Sequence, residues 1–96
     1  MKPSELLASH RGAIRQVVAA HRASNPRAFG SVIRGEDTED SDLDLLVDPD
    51  AGMTLFDIGA IRWELHELLG ISVAVVTPFA LPESFRAEVL AEAVQV

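Results

Sequence analysis

Cysteine is absent from this 96-residue chain, which excludes disulfide staples, thiolate zinc sites and cysteine nucleophiles. The absence agrees with a cytoplasmic setting, and that is the expected location. Long hydrophobic runs are also missing. The opening "MKPSELLASHRG" has no apolar segment for a signal peptide, and nothing approaches the ~18 apolar residues of a membrane span, so no membrane association is expected. Basic residues are scarce: 8 Lys and Arg against 15 Asp and Glu leave a net charge of -7. A protein that binds nucleic acid by neutralising phosphates needs a basic face, so direct nucleic-acid binding is not expected. What remains is enough apolar material, 48% of residues, for one small core, and a single domain over residues 1–96 is expected.

Acid is what the chain has in excess, and more than half of it lies between Glu36 and Asp50. Such asymmetry suits a cation site, a basic partner surface or a solvated loop. Leu6, Leu7, Ile14, Val17 and Val18 recur at helical spacing and predict a helix over 3–22, broken by "SNPR". Arg27–Phe29 reads as a short strand ending at Gly30, "SVIRG" as one helical turn closed by Gly35, and Glu36–Ser41 as a polar loop. Leu43–Val47 reads as a strand stopped by "DPDAG". Thr54–Leu69 reads as an amphipathic helix with Leu55, Ile58, Ile61, Leu65 and Leu68 on one side. "ISVAVV" at 71–76 reads as a buried strand and 82–93 as a closing helix. Alternation of this kind predicts an α/β (α+β) fold, a small mixed sheet flanked by helices.

Asp42 and Asp44 are two apart in a strand, so they share a face, roughly 6.6 Å apart along the chain at ~3.3 Å per residue. Two carboxylates on a rigid strand, completed by water and phosphate oxygens, suit magnesium. A plain half-exposed strand would show the same alternation, with Leu46 sharing the aspartates' side. Gly30 and Ser31 add a second element: a strand end opening into a helical turn, where glycine admits a phosphate to the backbone and serine supplies a hydroxyl. An ordinary helix cap explains either residue alone. Beside a metal-type pair they describe a nucleoside triphosphate site.

Spacing removes three rivals. "GSVIRGE" has Glu36 where a Walker loop requires lysine. "DSDLDL" from Asp40 has Leu45 at the glycine position and Ala51 at the bidentate acid position of a calcium loop. "DLDLL" also echoes an aspartyl-phosphate nucleophile motif, but the chain has no room for the rest of such an enzyme.

Gly30-Ser31, ten residues, then Asp42-x-Asp44 resembles the GS-x10-DxD signature of the DNA polymerase β-like nucleotidyltransferase superfamily. "AFGSVIRG", "SDLDLLV", "VVTP" and "LPESFRAEVLAEAV" resemble its minimal nucleotidyltransferase (MNT) antitoxins, the partners of HEPN-domain toxins. The resemblance implies the polymerase β-like fold, ATP as substrate and two magnesium ions on Asp42 and Asp44. It implies a triphosphate held by Gly30 and Ser31, with Arg34 touching phosphate where the family often has "GSRARG"; Val32 stands at that turn's first basic position. The implied reaction is AMPylation, transfer of AMP to a tyrosine hydroxyl of a cognate HEPN toxin with which the chain could assemble. The superfamily's third carboxylate, usually within "VDVVTP", is Ala74 in "VAVVTP" here. That departure implies an inactivating substitution, a degenerate enzyme, or recruitment of another acid such as Asp57 or Asp48, the latter about 13 Å beyond Asp44 at ~3.3 Å per residue. The chain is expected to bind nucleotide and transfer it poorly. The alternative is an inactive antitoxin or regulatory module that neutralises its partner by contact, and a third reading is a transferase for a small hydroxyl substrate.

His10, His21 and His66 lack zinc-motif spacing. Trp63 and Phe56 are expected as packing anchors, and Phe79, Leu81 and Phe85 as core. Glu83, Glu88, Glu92 and Arg86 are expected on a solvated helix face.

Overall fold

Leu43, Leu45, Leu46 and Val47 are all fully buried, so the strand they form, β2 (Leu43–Pro49), is covered on both faces along its middle. Such a strand reads as a near-continuous apolar run. In the computed structural model, which describes residues 1–96, β2 runs antiparallel to β1 (Ala23–Phe29) and parallel to β3 (Val73–Val76). A two-residue strand, β4 (Val94–Gln95), pairs antiparallel with the far side of β1, giving the order β3-β2-β1-β4. Helix α4 (Leu55–Leu69) supplies the crossover that a parallel pair requires. Helices α1 (Pro3–Ser9), α2 (Arg11–Ala20), α3 (Ser31–Arg34) and α5 (Glu83–Glu92) and a 3-10 turn at Pro78–Ala80 complete the chain. This is the expected mixed sheet flanked by helices. No helix is long and apolar enough to cross a membrane.

The alternation of β2 divides the core. Leu43, Leu45 and Val47 join Val73, Val75, Ala23 and Ala28 under Ile14 and Val18 of α2 and Ile61, Leu65 and Leu69 of α4. On the opposite face Leu46 packs with Leu81 and Val89, flanked by Phe29 and Val76. Asp42 and Asp44 share that second face, beyond the edge of its smaller apolar cluster.

Four local readings change. The helix expected over 3–22 is two helices, because His10 leaves helical geometry (φ -124°, ψ 20°) and its Nδ1 sits 3.0 Å from the Leu6 carbonyl oxygen, ending α1 and opening α2. The first strand begins at Ala23, not Arg27. "NPR" is absorbed as a β-bulge, with Ser24 opposite Asp48 and Arg27 opposite Leu46, so β1 spends one extra residue. Asn25 takes φ 51° there, and Pro26, which has no N–H to give, accepts one from Val96 through its carbonyl. The extra residue also lets Ala23 and Ala28, five positions apart, enter the same core.

The buried stripe of α4 is Ile61, Leu65 and Leu69, with Ile58 packed against it. Leu55 and Phe56 are 87% and 90% exposed, and Leu68 and Trp63 also face solvent, so the aromatic side chains of this helix are not packing anchors. The contiguous apolar positions of "LFDIGAIRWELHELL" allow more than one stripe, and docking against β2 and α2 selects among them. Near the other end Leu81 is buried as expected, whereas Phe79 and Phe85 are exposed; Arg86 stacks on Phe79 at 5.4 Å and donates to the carbonyls of Pro78 and Leu81. Arg86 therefore ties the 3-10 turn to α5.

The bulge aims Arg27 at Asp48, whose carboxylate accepts two bonds from the guanidinium (3.1 and 3.0 Å) and one from the Asn25 amide (3.0 Å). Arg27, then Asn25, hold the Asp48 carboxyl below the usual carboxylate range. A depressed acid stabilises the fold above its unfolded value of about 3.9 and loses that contribution as pH falls through its folded value. Asp48→Asn is therefore expected to melt below the parent at pH 7, with the gap closing progressively below about pH 4, as thermal melts across that range would read.

Candidate functional site

Phe29 is the register partner of Asp44, so the residue after β1 lies against the second carboxylate of "DLD". That residue is Gly30, at φ 78° and ψ -150°. A Cβ built there would stand 2.5 Å from Asp44 Oδ2, so glycine is required twice, once for the left-handed backbone and once for space. Ser31 and Val32 open α3 directly, Val32 buried in the main core and Ser31 half-exposed. The turn closes at Gly35, also left-handed at φ 72°. The two sequence motifs, ten residues apart, thus become one surface.

Asp44 is half-buried and Asp42 exposed. Burial, then the charge of Asp42, raise the Asp44 pKa; Glu92 adds to the rise and Arg34 opposes it. No hydrogen-bond donor of the protein contributes to that balance. Two carboxylates converging with no donor of their own suit a hard cation with oxygen ligands, and water and phosphate would supply the remaining positions. Ala74 is the register partner of Asp44 on β3 and stands where a further ligand would extend the set. It brings no carboxylate, and no group of three His, Cys, Asp or Glu side chains is placed to hold a metal. The residues present fit one divalent cation; a second has no ligand from β3.

The two acids proposed to replace the missing carboxylate are engaged elsewhere. Asp48 is tied to Arg27 and Asn25, and Asp57 accepts the Thr54 N–H at 2.8 Å as part of the α4 capping box. The histidines are dispersed as expected: His10 meets the Leu6 carbonyl, His21 contacts Glu64 at 2.6 Å, and His66 meets the Ile71 carbonyl.

Arg34 leaves α3 toward the same surface and forks between Glu36 (2.6 Å) and Glu92 (2.9 Å), whose hydrogen bonds raise its pKa above the ordinary value. Glu92 also accepts the Gly30 N–H at 3.2 Å. This residue was expected on a solvated face. Helical charge patterning carries no signal for it; only the pairing of β4 with β1 brings the last turn of α5 beside Gly30. Arg62 was likewise missed. It borders an open groove of about 290 Å³ with Asp42, Ser72 and Ala74, placing a cation from α4 beside the acidic strand.

The nucleotidyltransferase domain family model matches residues 24–96. A provisionally named protein adenylyltransferase of Methanocaldococcus jannaschii is 35% identical over 80 residues, covering 83% of this chain and 86% of that protein. The protein adenylyltransferase MntA of Thermococcus cleftensis is 33% identical over 91 residues, covering 95% and 89%. Among solved structures, a provisionally assigned minimal nucleotidyltransferase superposes with a TM-score of 0.86 at 43% identity, covering 97% of this chain and 95% of that one. A toxin-antitoxin complex with AMP-PNP shares the fold alone, with a TM-score of 0.71 at 15% identity over 97% of this chain and 71% of that one. With the Gly30–Asp44 apposition in place on that fold, the chain belongs to the nucleotidyltransferase domain family.

Proposed function

We propose that the chain is an antitoxin-type protein adenylyltransferase that transfers AMP from ATP to a tyrosine hydroxyl of a cognate HEPN toxin in the cytoplasm, with turnover lowered by Ala74. The observation that carries this reading is the contact between Gly30 and Asp44, which sets a backbone cradle against a carboxylate pair. Support for the acceptor class comes from the relatives named protein adenylyltransferase and from the toxin-antitoxin assemblies that share the fold.

In this reading Gly30 N–H, the Ser31 hydroxyl and Arg34 bind phosphate oxygens, and Asp42 and Asp44 hold Mg²⁺. The metal supplies charge neutralisation on the triphosphate. The acceptor oxygen forms a bond to the α-phosphorus while the bond to pyrophosphate breaks, and the hydroxyl proton must leave. A carboxylate at position 74 would receive that proton and orient the hydroxyl; alanine does neither. The proton passes to water, and the rate falls accordingly. Neutralisation by contact alone is the second reading. It is favoured by Ala74 and by the exposed Leu55, Phe56 and Phe79, apolar surface that a protein partner would cover.

Two tests follow. Ala74→Asp should raise transfer of label from [α-³²P]ATP to the toxin by ~10² to 10⁴, the usual worth of a general base. A folded variant with no gain, together with neutralisation that needs no ATP, would leave contact as the mechanism. The second test uses Asp44. Its raised pKa means that the ionised form strains the metal-free fold, a cost absent at low pH where the carboxyl is protonated in both states. Asp44→Asn should melt above the metal-free parent at pH 7, the difference vanishing below about pH 4. Magnesium should raise the parent's melting temperature and leave an Asp42→Asn/Asp44→Asn variant unmoved.

A further inference from the structure

Glu92 holds donors that the proposed nucleotide also needs. Its Oε2 accepts the Gly30 N–H at 3.2 Å and its Oε1 accepts Arg34 Nη1 at 2.9 Å. A carboxylate and a phosphate oxygen make the same charge-assisted demand on such groups. We propose that Glu92 is an internal competitor for the phosphate cradle: a triphosphate binds only by replacing its carboxylate, so Glu92 sets the site's affinity. The proposal rests on the nucleotide-site reading above.

The exchange is like for like. Gly30 is buried, and its N–H would lose its partner if Glu92 turned away without replacement. A buried donor without an acceptor is costly, so the cradle holds either the carboxylate or a phosphate oxygen. Electrostatics point the same way. Glu92 already acts on Asp44 in the same sense as Asp42, and a triphosphate brought to Gly30 would add further negative charge where Arg34 is the cation that acts on Asp44. Arg34 keeps Glu36 as a partner whichever anion takes its other side.

Exchange needs no movement of α5. Two and three residues after Glu92, Val94 and Gln95 pair with Ala28 and Arg27, and the Val96 N–H donates to the Pro26 carbonyl at 3.0 Å. Arg11 and Arg15 donate to the carbonyls of Gln95 and Val96, each at 3.2 Å. With the backbone pinned on its C-terminal side, release of the cradle is a side-chain rotation, a fast event. Nor does Glu92 replace the missing third carboxylate. It reaches the site from the β1 side, whereas Ala74 flanks Asp44 on the β3 side.

Calorimetric titration of the parent, Glu92→Gln and Glu92→Asp with MgATP, and separately with sodium tripolyphosphate, tests the proposal. Glutamine removes the charge; aspartate keeps it but is one methylene too short to span Gly30 and Arg34. Both variants should bind both probes about tenfold more tightly, because a larger fraction of molecules presents an open cradle. Equal or weaker binding by the variants, with the parent binding, overturns the competitor and leaves the nucleotide site standing. Tighter binding by Glu92→Gln with a parent-like Glu92→Asp also overturns it, assigning the effect to charge at a distance. No binding by any of the three removes the nucleotide-site reading itself and the competitor with it. Should the variants fail to fold, the parent's Glu92 side-chain carboxyl ¹³C resonance serves: it should shift together with the Gly30 amide on adding MgATP, and a bound nucleotide that leaves it unmoved overturns the proposal.

Discussion

The register between β1 and β2 is the constraint on which the rest depends. It places Phe29 opposite Asp44 and so brings Gly30 to within a missing side chain of the Asp44 carboxylate. Neither motif is a site by itself: a glycine turn is a turn, and alternate aspartates can end any half-exposed strand. Their contact is created by strand pairing, which is held by burial of Leu43, Leu45, Leu46 and Val47. Because the side-chain period of a strand is two, a slip of one residue would turn Asp42 and Asp44 toward the main core and Leu43, Leu45 and Val47 out of it. Core and site therefore specify the same register.

The surface so formed is electrostatically tense. Acidic groups from β2 and α5 meet around Arg34, and the burial that makes β2 a good core strand raises the pKa of Asp44. Active sites commonly concentrate such unfavourable arrangements, because a group poised for a ligand is short of partners without one. Here each part of the tension has a counterpart: a cation would relieve the aspartate pair, and Glu92 gives the Gly30 N–H and Arg34 an anionic acceptor. Ala74, the register partner of Asp44 on the same surface, adds no charge to it.

Much of this was legible in the sequence, for identifiable reasons. The α/β order follows from hydrophobic period, which tertiary contacts did not override in β2, β3 or α4. The pairing of Gly30 with Asp44 was legible only through the spacing of the two motifs, and the resemblance to nucleotidyltransferases rests on the same spacing. Failures occurred where a local pattern had two solutions. "SNPR" reads as a helix break and holds a strand bulge; the apolar-rich α4 allows several stripes; His10 looks like a helix interior and divides two helices. Glu92 was illegible because its role depends on a two-residue strand that only β1 makes possible. No periodicity over two residues can be detected.

The bulge in β1 has a consequence for how the strand tolerates changes in length. Between Ser24 and Arg27 the chain already carries one residue more than its partner, and that surplus is what allows Ala23 and Ala28 to enter one core. Adding or deleting a residue elsewhere in β1 would invert one end relative to the other, turning an alanine out of the main core or Arg27 into it. Within the bulge the pairing is already irregular, so β1 can change length there more readily than elsewhere along the strand. Even there, gaining or losing a single residue changes which face the strand's first half presents, so the step tolerated most readily is a pair.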